Sequence, residues 1–129
     1  MAGVLLDTCV IAALVGDPGS LSDAMRAALA QHTGSIYAST ASGMELAWHE
    51  RDGRVRLPVP VADLAPHLQA SGITVLPVTW EELATAVTVP VPHRDPFDRI
   101  LAATALRRGL TLLTSDENVR QCPGMSCVW

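Results

Sequence analysis

Residues 93–114 read HRDPFDRILAATALRRGLTLLT and contain, in order, a helix start, an apolar helix, a helix stop and a buried strand. Asp95 followed by Pro96 is typical of a helix cap with proline at the first helical position. Gly109 ends the helix that these residues begin, and the apolar run at 110–114 predicts a strand. A helix that leads directly into a buried strand is typical of layered α/β proteins.

The same alternation of helices and short strands extends over the rest of the chain. Strands are predicted at residues 3–6, 35–38, 73–78, 110–114 and 125–129, and helices at residues 8–15, 20–32, 42–51, 63–70, 79–87 and 96–108. This alternation predicts a three-layer α/β/α fold in which helices cover both faces of a central, mainly parallel sheet. The chain of 129 residues has the length of one domain, so residues 1–129 are expected to form a single domain.

Composition narrows the class of protein. The formal net charge of −4 argues against a protein that holds nucleic acid by bulk charge, but not against a local patch combined with a metal ion. No apolar run has the length of a membrane span, and the first residues lack the basic segment of a signal peptide. A cytoplasmic protein without membrane association is therefore expected. The three cysteines have no metal-ligand spacing and are expected to be free thiols.

Four acidic residues fall near the points where predicted strands end and helices begin: Asp7, Glu45, Asp98 and Asp116. In a sheet of parallel strands these junctions lie along one edge, so the four side chains are expected to face one cleft. Carboxylates gathered in one cleft repel each other unless a cation binds, and oxygen ligands suit Mg²⁺ or Mn²⁺. The pattern predicts metal-assisted hydrolysis of a phosphodiester.

Each acid also has a purely structural interpretation. Aspartate at a strand–helix junction is a favoured helix cap, and an acid in the first helical turn interacts favourably with the helix dipole. Ser42 with Glu45, and Thr79 with Glu82, have the spacing of a capping box, in which two side chains satisfy each other's backbone N–H groups. Asp63 is likewise expected to cap the helix that extends through Ala70. Spacing alone leaves open whether Asp95 or Asp98 belongs to a site and which of them only caps the helix.

Four blocks of the sequence resemble, in order, the blocks of PIN-domain proteins: LLDTCVIAAL, STASGMELAWHERDGRVRLP, HRDPFDRILAATAL and LTLLTSDENV. Together they cover nearly the whole chain, from residue 4 to about residue 119. The similarity is strongest to the VapC-like toxins of type II toxin–antitoxin pairs, and the dense HRDPFDR block is its most specific part.

The resemblance implies a Mg²⁺- or Mn²⁺-dependent endoribonuclease that cuts RNA, binds a cognate antitoxin and forms a homodimer. By correspondence of the blocks, the family's acids fall on Asp7, Glu45, Asp98 and Asp116, which are the expected catalytic and metal-binding residues. Asp95 belongs to the HRDPFDR subgroup rather than to the general acid set. Position 9 is cysteine where histidine is common, and position 49 is histidine where lysine is often seen, but neither change removes an acid.

Two other functions stay open beside this one. The chain could be a PIN-like module that binds RNA or protein with little or no catalysis, or a PIN nuclease that processes RNA without an antitoxin. Arginines near the acids are interpreted as solvated charges or as contacts to a carboxylate or a phosphate: Arg51, Arg54, Arg56, Arg94 and Arg99. The tryptophans are interpreted as packing residues rather than platforms for base stacking: Trp48, Trp80 and Trp129.

Overall fold

The computed structural model of the protein describes residues 2–92 and 94–129. Its strands are β1 (Val4–Leu6), β2 (Ile36–Ser39), β3 (Ile73–Leu76), β4 (Thr111–Leu113) and β5 (Cys127–Val128). They form one sheet in the order β3-β2-β1-β4-β5, and every neighbouring pair is parallel. The predicted parallel sheet is confirmed, and β1 lies at its centre.

Seven α-helices connect and flank these strands in the described residues. They are α1 (Thr8–Gly16), α2 (Asp23–Gln31), α3 (Thr40–Arg51), α4 (Leu64–Ala70), α5 (Trp80–Thr88), α6 (Pro96–Arg108) and α7 (Glu117–Arg120). No helix in residues 2–92 and 94–129 is long and apolar enough to cross a membrane. His93, which was predicted to lie in an extended segment, is outside the described residues.

Side chains of β1 alternate between two apolar layers, as the pleat of a strand requires. Val4 and Leu6 pack on one face with residues of α1, α2, α3 and α4. Leu5 packs on the opposite face with Leu101 and Ala105 of α6, and α5 packs against α6. Helices therefore cover both faces of the sheet, and the predicted three-layer α/β/α arrangement is confirmed.

The predicted limits of the long helix are confirmed by its caps. Asp95 is the N-cap of α6 and Pro96 is its first residue. Gly109 ends the helix with a φ of 65°, a left-handed conformation that favours glycine. The capping box predicted for the start of α5 is also present between Thr79 and Glu82.

Two predicted caps are wrong. Helix α3 begins at Thr40 because the hydroxyl of Ser39 accepts from the backbone N–H of Ala41 at 3.0 Å, so Ser42 and Glu45 form no capping box. Asp63 precedes α4 but its side chain makes no capping hydrogen bond. Both helices form without the predicted caps, because packing of their apolar side chains contributes more than one terminal hydrogen bond.

Candidate functional site

One cavity lies beyond the carboxyl ends of the strands. Asp7 directly follows β1, Asp116 lies shortly after β4, and α3 follows β2 and contributes Glu45. The cavity has a volume of about 470 Å³ and lies where parallel sheets commonly bind ligands. All four acids predicted from the sequence line it, and Asp95 lines it as well: Asp7, Glu45, Asp95, Asp98 and Asp116.

Asp7 is held by hydrogen bonds to both of its carboxylate oxygens. Oδ1 accepts from the backbone N–H of Thr8 at 2.7 Å, so Asp7 is the N-cap of α1. Oδ2 accepts from the hydroxyl of Thr114, and the thiol of Cys9 lies 3.6 Å from the same oxygen. Asp7 is therefore both the predicted helix cap and a fixed, buried acid of the cavity.

Thr114 links two of the acids. Its buried hydroxyl donates to Oδ2 of Asp7 and accepts from the backbone N–H of Asp116 at 3.0 Å. Asp116 in turn caps α7, because its Oδ1 accepts from the N–H of Asn118 at 2.8 Å and from that of Val119 at 3.4 Å. The first and fourth acids thus occupy fixed positions relative to each other.

Asp95 and Asp98 lie on the same turn but differ in their surroundings. Oδ1 of Asp95 accepts from the backbone N–H of Phe97 at 2.9 Å and from that of Asp98 at 3.3 Å. Asp95 is exposed, whereas Asp98 is only 9% exposed and lies among the other acids. The structure thus assigns the helix cap to Asp95 and leaves the carboxylate of Asp98 to the cavity.

Glu45 reaches the cavity from α3. Its Oε2 lies 3.7 Å from Nε2 of His49, one helical turn further along. Its Oε1 is buried and accepts no hydrogen bond from the described residues. Burying a carboxylate oxygen without a donor is costly unless water or a cation occupies the vacant side.

Ser42 fixes α3 against α1. Its buried hydroxyl accepts from the hydroxyl of Thr8 at 2.9 Å, and Thr8 is the residue next to Asp7. Ser42 also lies less than one helical turn before Glu45. The bond therefore sets the position of the second acid relative to the first.

Burial and mutual repulsion disfavour negative charge in the cavity. Burial, followed by the charges of Asp7 and Asp95, raises the pKa of Asp98 from 3.8 to about 8. Burial is also the main cause that raises the pKa of Asp7 and of Glu45 above their ordinary values. Hydrogen bonds from Thr114 and Thr8 oppose this effect at Asp7 but do not reverse it. A cation beside these carboxylates would therefore favour their ionised forms.

The donor set of the cavity suits a hard divalent cation. Carboxylate oxygens are the ligands that Mg²⁺ and Mn²⁺ prefer, and Oε1 of Glu45 accepts no hydrogen bond from the described residues. In the described part of the chain, no three His, Cys, Asp or Glu side chains already form a complete group of ligands. A cation would have to draw the carboxylates closer together, and its charge would offset their mutual repulsion.

Sequence reasoning did not identify the hydroxyl groups that hold the acids. Thr114 and Ser42 are buried and bond to groups far away in the chain, and a serine or threonine beside an acid has no distinctive local pattern. Arg99 was interpreted as a solvated charge or as a contact to a carboxylate or a phosphate. Its guanidinium donates to four backbone carbonyls that end α5 and follow it, those of Ala86, Val87, Val89 and Val91.

The tryptophans are more exposed than predicted. Trp80 is 84% exposed and Trp129 is 62% exposed, so the interpretation as packing residues is wrong for Trp80 and incomplete for Trp129. Trp48 packs edge-on against the ring of Phe97, with 5.7 Å between the ring centroids. Arg51 pairs with the neighbouring Asp52 at 3.0 Å, as expected for a solvated turn charge.

Comparisons with known proteins agree with this architecture. The PIN domain matches residues 4–124. Ribonuclease VapC22 of Mycobacterium tuberculosis (strain ATCC 25618 / H37Rv) is 35% identical over 125 residues, which are 93% of this chain and 92% of that protein.

Solved structures extend the similarity to the fold. DNA-bound VapBC from Salmonella typhimurium superposes with a TM-score of 0.71 at 19% identity, over 99% of this chain and 98% of that chain. A toxin–antitoxin complex from Klebsiella pneumoniae superposes with a TM-score of 0.66 at 18% identity, over 98% and 97% of the two chains.

Proposed function

Because the chain belongs to the PIN-domain family, we propose that it is a metal-dependent endoribonuclease that acts as the toxin of a toxin–antitoxin pair. The identity of 35% to a ribonuclease supports hydrolysis of RNA phosphodiester bonds. The observation that carries the proposal is the convergence of four acids on one cavity at the strand ends: Asp7, Glu45, Asp98 and Asp116.

Three aspartates are proposed to hold one or two divalent cations. Asp7 and Asp116 are fixed through Thr114, and Asp98 is placed by a helix whose cap is Asp95. Mg²⁺ or Mn²⁺, when bound, lowers the pKa of water and shields the charge of the phosphodiester. Burial and the neighbouring carboxylates raise the pKa of Asp98, so a bound cation would favour its ionised form.

Glu45 is proposed as a further ligand or as the base that orients the attacking water. Glu45 lines the cavity, and its Oε1 accepts no hydrogen bond from the described residues. Burial raises its pKa, which strengthens it as a proton acceptor. Nε2 of His49 lies 3.7 Å from the other carboxylate oxygen.

Cleavage of RNA by the purified protein tests the activity. Wild-type protein with Mn²⁺ should cleave total RNA, and Asp98→Asn should lower the rate by a factor of at least 100, since a ligand is lost. Asp63→Asn is the matched control, because Asp63 is exposed, lies outside the cavity and makes no capping hydrogen bond. Equal cleavage by wild type and Asp98→Asn would assign the activity to a contaminant.

Calorimetric titration tests the metal ligands separately from cleavage. Mn²⁺ should bind wild-type protein and the Asp63→Asn control, and binding should disappear in an Asp98→Asn/Glu45→Gln protein. Both substitutions keep the size of the side chain, so circular dichroism should show an intact fold. Unchanged binding by the double variant would overturn the ligand assignment.

Growth assays test the role as a toxin in the cytoplasm. The fold shared with a toxin–antitoxin complex supports a cognate antitoxin as the partner of this chain. Expression of the wild-type protein alone should arrest growth, and co-expression of the neighbouring small gene should relieve the arrest. Cleavage without arrest would favour a PIN nuclease of RNA processing, and arrest without cleavage would favour a binding module.

A further inference from the structure

We infer that Trp129 is a stacking platform for a base of the RNA substrate, beside the acids that act on the backbone. The inference rests on the proposed ribonuclease function and adds a binding subsite to it. The juxtaposition that carries it is an exposed indole, backed by an arginine, in a second cavity that adjoins the first.

The indole of Trp129 is held in place although it is 62% exposed. Cζ of Arg120 lies 3.4 Å from the centroid of the ring, so the guanidinium covers one face. The Arg120 side chain is only 15% exposed and pairs with Glu117 at 3.6 Å. A guanidinium stacked on an indole stabilises the ring position by cation–π attraction, which leaves the rest of the indole available to a ligand.

Trp129 lines a cavity of about 360 Å³ that adjoins the acid cavity. Cys9 and Ser115 line both cavities, so they form the shared wall. Ser115 also lies between Thr114 and Asp116, and the hydroxyl of Thr114 accepts from the backbone N–H of Asp116. A nucleotide whose phosphate lies at the acids would therefore have its neighbour within reach of the indole.

The lining of this second cavity suits a planar, partly polar ligand. Val10, Leu21 and Met25 provide apolar surface, and the exposed Ser22 and Ser115 also line the cavity. An apolar surface with a few hydrogen-bonding groups is the usual composition of a small-molecule pocket. A nucleobase matches it, because its face stacks on aromatic rings while its edge takes hydrogen bonds.

RNA is favoured over other ligands by the position of the platform. Single-stranded nucleic acid is bound by stacking of its bases on aromatic side chains, and RNA is read mostly in unpaired segments. The acidic chain, with a net charge of −4, cannot hold RNA by bulk attraction, so stacking would supply much of the affinity. Arg120 occupies one face of the indole, so a base would stack on the other face.

Steady-state cleavage of a short fluorescent oligoribonucleotide tests the subsite. Trp129→Ala should raise KM by about 5- to 150-fold with little change in kcat, the effect expected from loss of one stacked base. Trp129→Phe should restore most of the affinity, because an aromatic face remains. Asp63→Asn is the control, since Asp63 is exposed and lines neither cavity.

Substrates that lack one base identify the contact. Removing the base that stacks on Trp129 should raise KM for the wild type and leave the Trp129→Ala protein unaffected. A Trp48→Phe/Trp80→Phe protein keeps Trp129 as its single tryptophan, and RNA should quench its fluorescence.

The outcomes separate this inference from the proposed function. Cleavage with equal KM in wild type and Trp129→Ala would overturn the subsite and leave the ribonuclease intact. Loss of antitoxin binding by Trp129→Ala with unchanged KM would assign the platform to protein recognition and overturn the RNA assignment. Absence of any RNA cleavage or binding by the wild type would overturn both.

Discussion

Asp95 and Asp98 share one helical turn, yet they should respond differently to substitution. Asp95→Ala removes the acceptor for two backbone N–H groups and should lower the free energy of unfolding by about 1 kcal/mol. Asp98→Asn should keep the fold and abolish cleavage, because its carboxylate faces the cavity. Urea denaturation and RNA cleavage of both variants test this division, and the reverse pattern would contradict it.

The raised pKa of Asp98 should make metal-free protein less stable at higher pH. Its pKa is about 8 in the folded protein, above that of an unfolded aspartate, so the folded state binds the proton more tightly. The stabilisation is complete below about pH 4 and is lost as pH rises to about 8. The raised pKa values of Asp7 and Glu45 act in the same direction.

Thermal unfolding in EDTA between pH 4 and pH 8 measures this effect. The Tm of the wild type should fall over that range, and the Tm of Asp98→Asn should fall less because asparagine does not titrate. Added Mn²⁺ should raise the Tm of the wild type most at pH 8, where the carboxylates lose their protons most easily. Parallel pH profiles for wild type and Asp98→Asn would show that Asp98 is not the group responsible.

The acidic residues of the site could be predicted from the sequence, whereas the hydroxyl groups that hold them could not. Asp7 and Asp116 follow strands, and the topology of a parallel sheet places such residues at one edge. The bond from Thr114 to Asp7 joins residues 107 positions apart, and no local pattern indicates it. The choice of Asp98 over Asp95 came from family resemblance, and its catalytic role stays a prediction.

At the scale of elements, Arg99 connects the end of α5 to the start of α6. Arg99→Met should lower the free energy of unfolding by about 2 kcal/mol, since a charged donor to four carbonyls is lost. Hydrogen exchange should accelerate over residues 86–91. Arg107→Met is the matched control on the same helix, because Arg107 is exposed and donates only a 3.3 Å bond to Thr85. Equal destabilisation by Arg99→Met and Arg107→Met would show that loss of positive charge, and not loss of the four hydrogen bonds, is responsible.

Helices and strands were predicted well where chain-local signals agree with packing. Both limits of α6 follow from Asp95, Pro96 and Gly109. The start of α3 was misplaced because Ser39 and Ser42 are residues of the same type and cap helices equally well. Ser39 is the cap because it is the last residue of β2, where it pairs with Leu76. Strand β3 ends early because the chain turns so that the N–H of Val78 donates to the hydroxyl of Thr40 at 3.1 Å.

For the molecule as a whole, the homodimer stays a prediction, and α5 offers a surface on which to test it. Trp80, Leu83 and Val87 lie on one face at helical spacing and are 84%, 47% and 75% exposed. A second copy of the chain would cover this stripe with its own, as a twofold interface requires. Light scattering should give the mass of two chains for the wild type and of one chain for Trp80→Glu.

Glu81→Gln is the control for that experiment, because it changes a charge on α5 outside the stripe. A monomeric wild type would exclude the homodimer. A dimeric Trp80→Glu protein would place the interface elsewhere. That residues 1–129 form a single domain is likewise still a prediction. One cooperative unfolding transition of the protein would support it.

The wide spacing of the acids along the chain has a consequence for synthesis on the ribosome. Asp7 is synthesised before its partner Thr114, which lies 107 positions later, and β4, which pairs with β1, is also synthesised long after it. A nascent chain that lacks these residues has neither the fourth acid nor the strand that closes the cavity. Because such distant contacts form only after the intervening chain is available, the site would assemble late. We therefore expect RNA cleavage only from chains that extend past Asp116, because shorter chains lack β4, the fourth acid or both.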